Sequence, residues 1–201
     1  MRKNCLVAIT GGIGSGKTTV SKEILNNGYP VINCDEITKK LYKTAKVKRW
    51  VKTNFPTCVS GKFFIYVNKK ALAELVFNDK SAHQILTDYL TALIFKKAIK
   101  SAKKKKGIVF IEVPLLFEKG YQEHFDKVTV VLRNKEQRIL SVIKRSNLTK
   151  EQVVARIENQ VDYDKIDLSK FIVINNDKDE KLLKEKVIST LEKLKSEFLG
   201  V

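Results

Sequence analysis

The run Thr10-Gly11-Gly12-Ile13-Gly14-Ser15-Gly16-Lys17-Thr18-Thr19 has the spacing G-x-x-x-x-G-K-[ST] and follows the apolar stretch Leu6-Val7-Ala8-Ile9. Such a run commits a chain to a strand, a tight loop and a helix in that order. Its glycines let successive backbone N–H groups turn inward around an anion. Gly12, Ile13, Gly14, Ser15 and Gly16 then form a cradle for the phosphates of ATP, continued by Lys17, Thr18 and Thr19. Lys17 reaches the β/γ-phosphates, where it serves catalysis, and the Thr18 hydroxyl sits on Mg²⁺. Val20 to Leu25 reads as a short amphipathic helix ended by Asn26-Asn27-Gly28, which supplies the helix the motif needs.

Further strands follow in the pattern of an open α/β sheet. Residues 4–9 read as the first buried strand and Tyr29 to Asn33 as a second. Gly107 opens Ile108-Val109-Phe110-Ile111, a continuous apolar run of the kind that parallel strands buried on both faces show. Lys127 to Leu132 and Phe171 to Ile174 supply a fourth and a fifth. Helical spacing of apolar residues over Glu136 to Lys144, Lys150 to Gln160 and Asp179 to Phe198 provides crossovers. The expected fold is a P-loop NTPase-like three-layer α/β/α arrangement with a five-stranded parallel sheet. Residues 1–201 form a single kinase-type domain. A helical insertion at about 36–106 and a small helical lid at about 146–165 exceed what crossovers need, so they belong over the carboxyl ends of the strands. Inside the insertion, Asp35 to Thr53 reads as one long helical stretch, followed by Lys69 to Val76 and Ser81 to Ser101.

The formal charge is +17, carried by 33 lysines and only six arginines. Base recognition and bidentate phosphate clamps favour arginine. The lysines fall on solvent-facing helical positions, and Lys103-Lys104-Lys105-Lys106 closes a helix C-terminus, where cations suit the dipole. No specific nucleic-acid partner is expected. No segment approaches the ~18 apolar residues of a membrane span, and Met1-Arg2-Lys3-Asn4 shows no signal-peptide pattern. A cytoplasmic protein is expected, with Cys5, Cys34 and Cys58 reduced. A monomer is the expected assembly, an oligomer the alternative.

Three further positions can carry chemistry. Asp35 follows the second strand, where an open sheet delivers side chains into its crevice, and is either a base for the proton of an acceptor hydroxyl or the N-cap of the next helix. Glu112, ending the third core strand, is either a metal-holding acid or a strand residue with a structural partner. Arg145 ends one helix just before Ser146-Asn147-Leu148-Thr149, which suits a hinge carrying a cation toward a triphosphate, or a cation on a helix C-terminus. Arg138 and Arg156 stand out for the same scarcity of arginine. Glu118 and Asp126 are equally compatible with loop capping.

These residues together resemble a bacterial dephospho-coenzyme A kinase. The likeness rests on Ile9 to Thr19, Val31-Ile32-Asn33-Cys34-Asp35, Ala71-Leu72 with Val76-Phe77, and above all Val113-Pro114-Leu115-Leu116-Phe117-Glu118. Asp126, Gln137-Arg138, Arg145, Arg156-Ile157, Gln160 and Asn175 follow in order. The resemblance implies MgATP-dependent phosphorylation of the 3′-hydroxyl of dephospho-coenzyme A. It implies Asp35 as catalytic base, Thr18 with Glu112 at the metal, and Arg145 with Asn175 near ATP. Pro114, Leu115, Leu116 and Glu118, with Asp35, fall at the acceptor. The chain departs from the family pattern at Asn33, where an aspartate is usual, at Lys69 for arginine, at Thr91-Ala92 for His-Pro and at Ser169-Lys170 for Ala-Asp.

A nucleoside or nucleoside-monophosphate kinase would share the loop, sheet and lid. Asn134-Lys135-Glu136-Gln137 mimics the guanine-reading N-K-x-D, but Gln137 stands where an acid is needed. A basic nucleic-acid-binding protein without catalysis would leave the phosphate loop idle.

Overall fold

The computed structural model describes residues 4–61, 64–146, 148–177 and 179–199. Asn147 of the expected hinge and the Met1-Arg2-Lys3 leader lie outside the described residues. Chain contacts divide into two compact units, residues 1–32 with 101–201 and residues 33–100.

The first unit is built on a five-stranded parallel sheet. Its strands are β1 (Asn4–Thr10), β2 (Val31–Asn33), β5 (Gly107–Glu112), β6 (Lys127–Leu132) and β7 (Ile172–Asn175), in the order β2-β5-β1-β6-β7. The register runs Asn4 beside Gly107 through Ile9 beside Glu112, so β1 and β5 end at the same level. β6 follows with Thr10 beside Val130, and β7 with Leu132 beside Asn175. The central strands β1 and β5 are apolar and buried along most of their length, on both faces. Helices α1 (Lys17–Asn26) and α8 (Glu180–Leu199) share one core with the sheet, in which Ile24, Leu183 and Leu191 meet Val7, Ile9, Phe110 and Val131. Helices α6 (Lys135–Arg145) and α7 (Lys150–Glu158) form a separate small cluster of Ile139, Val142 and Val153. A capping box starts α7, with Thr149 and Gln152 satisfying each other's backbone N–H.

The second unit holds α2 (Cys34–Leu41), α3 (Ala45–Asn54), α4 (Lys69–Asn78) and most of α5 (Lys80–Ala102) around Leu41, Val47, Val51, Leu72 and Leu90. One expectation needs correction here. The helical stretch from Asp35 to Thr53 is two helices, because the Thr44 hydroxyl accepts the Val47 N–H and starts α3 afresh. The segment around Gly61 contributes a small antiparallel pair, β3 (Val59–Ser60) with β4 (Tyr66–Val67), which two-residue strands hide from any periodicity.

Candidate functional site

The phosphate loop bridges β1 and α1 in the conformation its glycines allow. Gly14 has φ +78° and Gly16 φ +95°, both in the left-handed region. Gly16 is the N-cap of α1, so no side chain occupies the helix's first N–H groups, and the first turn carries no acid to compete with an anion. Lys17 Nζ donates to the carbonyls of Gly11 at 2.7 Å and Gly12 at 3.0 Å, which folds the ammonium over the cradle. The Ser15 hydroxyl is buried inside the loop without a hydrogen-bond partner among the described residues.

Beside the loop, β5 delivers Glu112 in register with Ile9, and Val113 N–H donates to Ile9 O at 2.9 Å. The buried Glu112 carboxylate accepts from Ser21 Oγ at 3.0 Å and from Thr18 Oγ1 at 3.4 Å. Thr18 and Glu112 are thus brought together. A hydroxyl and a carboxylate, both hard oxygen donors, suit Mg²⁺, which keeps several waters and takes further oxygens from substrate phosphates.

Around the loop lies a cavity of about 810 Å³ whose walls include Gly12, Ser15, Arg138, Gln160, Tyr163 and Asn175. Arg138 donates from Nε to Ile13 O at 2.9 Å, and burial lowers its guanidinium pKa from the usual value, opposed by Tyr163 and Asp164. Gln160 Oε1 accepts the Ile13 N–H at 2.7 Å. On the other flank Asn176 Nδ2 donates to Ser15 O at 2.8 Å. The Tyr163 hydroxyl lies 3.5 Å from Thr10 Oγ1, and burial pushes its pKa up to about 12. No role for Asn176 follows from its sequence context. Asn175, its neighbour, is exposed and lines the cavity, while Asn176 turns inward to hold the loop.

The remaining expected residues are placed as follows. Arg145 is exposed at the end of α6, and the arginines on the cavity wall are Arg133 and Arg138. In the segment after β5, Pro114 is exposed, Leu116 is fully buried, and Leu115 holds φ +59°, the one described non-glycine residue in the left-handed region. A leucine there is strained and persists only where its surroundings impose it. Glu118 Oε1 accepts the Val161 N–H at 3.1 Å, and its second oxygen is buried without a hydrogen-bond partner among the described residues. Asp126 is structural: its carboxylate accepts the Leu6 N–H at 2.8 Å, and its own N–H donates to Leu6 O at 2.9 Å. Asp35 is exposed in the first turn of α2, and the capping alternative for it is overturned. Asn33 is the N-cap, accepting the N–H groups of Asp35 at 2.7 Å and Glu36 at 3.3 Å. The asparagine that departs from the usual pattern therefore has a structural duty of its own.

A sequence model of the family described as Dephospho-CoA kinase matches residues 5–181. The chain is 31% identical over 183 residues to a Dephospho-CoA kinase of Fusobacterium nucleatum, covering 90% of this chain and 94% of the relative. It is also 31% identical over 197 residues to a Dephospho-CoA kinase of Sulfurimonas denitrificans, covering 96% of each. The crystal structure of TT1252 from Thermus thermophilus superposes with a TM-score of 0.80 at 28% identity, over 96% of this chain and 99% of that one.

Proposed function

The chain belongs to the dephospho-CoA kinase family, and from that membership we propose that it transfers the terminal phosphoryl group of ATP to the 3′-hydroxyl of dephospho-coenzyme A. The products are coenzyme A and ADP. The observation that carries this reading is the cradle of Gly12 to Thr19 with Lys17 folded over it and Glu112 at the same level, because phosphoryl transfer is mainly positioning and charge neutralisation.

In this reading the loop from Gly12 to Thr19 holds the phosphates through backbone N–H groups other than those of Ile13, Ser15 and Thr19, which Gln160, Gly12 and Gly16 engage, and Lys17 follows the β/γ-oxygens as charge builds there. Thr18 and Glu112 would hold Mg²⁺, which supplies a positive charge against the phosphate oxygens when bound. Asp35 takes the proton of the acceptor hydroxyl as the new O–P bond forms and the bond from the γ-phosphorus to the β–γ bridging oxygen breaks. Pro114, Leu115, Leu116 and Glu118 contribute to acceptor recognition, and Arg145 and Asn175 to the nucleotide. Residues about 36–106 serve as the acceptor-binding insertion and about 146–165 as the lid of one kinase domain. The protein works as a monomer in the cytoplasm, and no described helix is long and apolar enough to cross a membrane. An ADP-release assay across dephospho-coenzyme A, nucleosides and nucleoside monophosphates tests the assignment.

A further inference from the structure

A loop with glycines at positive φ has little stiffness of its own, because glycine gains its conformational range by giving up restraint. The shape of this phosphate loop is therefore imposed from outside, and most of the restraint converges on one residue. Ile13, at the tip, donates its N–H to Gln160 Oε1 at 2.7 Å and accepts from Arg138 Nε at 2.9 Å. Its side chain packs into the cluster of Ile139, Val142 and Val153, the core that α6 and α7 share. Arg138 is seated so closely that a Cβ on Gly12 would lie 2.1 Å from its guanidinium, and one on Gly14 2.5 Å from its carbonyl oxygen. Both glycines thus admit the arginine as well as the phosphates.

One of the two side chains precedes the lid segment and the other lies within it. Arg138 stands in α6, before it, and Gln160 stands just past α7, 125 and 147 residues from Ile13 in sequence. Neither is loosely placed. The Gln160 N–H donates to Ile157 O at 3.1 Å, and the Val161 N–H next to it is fixed on Glu118 Oε1.

We propose that Ile13 is a clamp point at which Arg138, from the helix before the lid, and Gln160, from within the lid, jointly set the shape of the phosphate loop, making both of them positioning residues for the transferring phosphoryl group. The clamp rests on the phosphate-loop reading for its consequence in catalysis, but not for its existence. The Ile13 N–H lies in the Gly12–Ile13 peptide and the Ile13 carbonyl in the Ile13–Gly14 peptide, so each bond restrains one of the two planes that meet at the Ile13 Cα. Only with both held are the φ and ψ of Ile13 fixed. The lid and the cradle then move as one unit, so an ordered lid and correctly aimed N–H donors come together.

Two measurements test this. In the nucleotide-free protein, amide hydrogen exchange read by NMR should show the Ile13 N–H protected, and Gln160→Ala should remove the protection. Arg138→Met should remove it as well, although Arg138 touches only the carbonyl side, and Gln160→Glu, which keeps an acceptor, should retain it. Arg138→Lys preserves the charge without the Nε bond and should behave as the methionine does. Wild-type protection of Ile13 in both Arg138 variants overturns the clamp. In ATP titrations without acceptor, each of Arg138→Met and Gln160→Ala should weaken binding about tenfold, and the double variant little more than either, since residues acting through one element are non-additive. A loss of about a hundredfold in the double variant means independent contacts and overturns the joint action. Failure of the unaltered protein to bind ATP would instead contradict the phosphate-loop reading, and the exchange result would still decide the clamp.

Discussion

The Ser21 hydroxyl donates to Glu112 Oε2 at 3.0 Å, and Thr18 Oγ1 lies 3.4 Å from the other oxygen of the same carboxylate. One acid at the end of a strand is thus oriented by a helix that begins in the phosphate loop. Ser21 fixes the carboxylate, leaving its other oxygen beside Thr18, the threonine proposed to meet the metal.

Glu112→Gln keeps the shape and a hydrogen-bonding oxygen for Ser21 but removes the charge. The melting temperature should change little, while the Mg²⁺ concentration for half-maximal rate should rise by about 10–100-fold, the range for losing a group that tunes a metal site. Rate measured against Mg²⁺ concentration checks this, and an unchanged Mg²⁺ dependence would leave Glu112 a purely structural strand residue.

Asn33 and Asp35 should fail in different ways. Asn33→Ala removes the cap of α2 and should cost about 1 kcal/mol of stability. Asp35→Asn leaves that cap intact, so its melting temperature should stay close to wild type. As the general base, however, it should lose about 10²–10⁴-fold in kcat, with a smaller effect on the apparent KM for dephospho-coenzyme A. Retention by Asp35→Asn of more than about a tenth of the wild-type kcat would contradict its role as base.

Lys17→Ala should lose on the order of 10² or more in kcat, the scale of one preorganised contact to developing charge. The bonds it gives up, to the Gly11 and Gly12 carbonyls, join parts of the same loop, so the fold should survive. Steady-state kinetics with a thermal melt separates the two effects.

Tyr163 predicts an alkaline limit. Burial first, with Glu118 adding to it, raises its pKa from 10.0 to about 12, so between those values the unfolded chain releases a proton that the folded one keeps. Stability from this group is complete below pH 10 and is lost as pH rises through about 12. Two units correspond to roughly 2–3 kcal/mol. Tyr163→Phe keeps the ring against Phe117 and should flatten that part of the stability curve, measured by denaturant unfolding at pH 9 to about 12. An equally steep fall in the variant would assign the loss to other groups.

Much of the fold is legible along the chain because its signals are local. The phosphate loop carries its own glycines, and Ile108 to Ile111 reads as a strand because both its faces are buried. The break at Thr44 depends on a single hydroxyl, and the Val59–Ser60 and Tyr66–Val67 pair is too short for a period. The loop's outer supports are hidden for a different reason. Arg138, Gln160 and Asn176 meet it across 125, 147 and 161 residues, and nothing near them in sequence records that partner. For Arg138 the scarcity of arginine was a usable hint. For Asn176 the resemblance points to the adjacent Asn175, and only the turn of the chain after β7 decides which of the two faces inward.

The most direct test of the central claim is to incubate the purified protein with ATP, Mg²⁺ and dephospho-coenzyme A and to identify the products by mass and by phosphorus NMR. The account predicts one ADP for each coenzyme A, with the new phosphate on the 3′-hydroxyl, and far poorer turnover of adenosine, uridine, cytidine and nucleoside monophosphates. Equal or faster phosphorylation of a nucleoside monophosphate, or no 3′-phosphate on dephospho-coenzyme A, would contradict it.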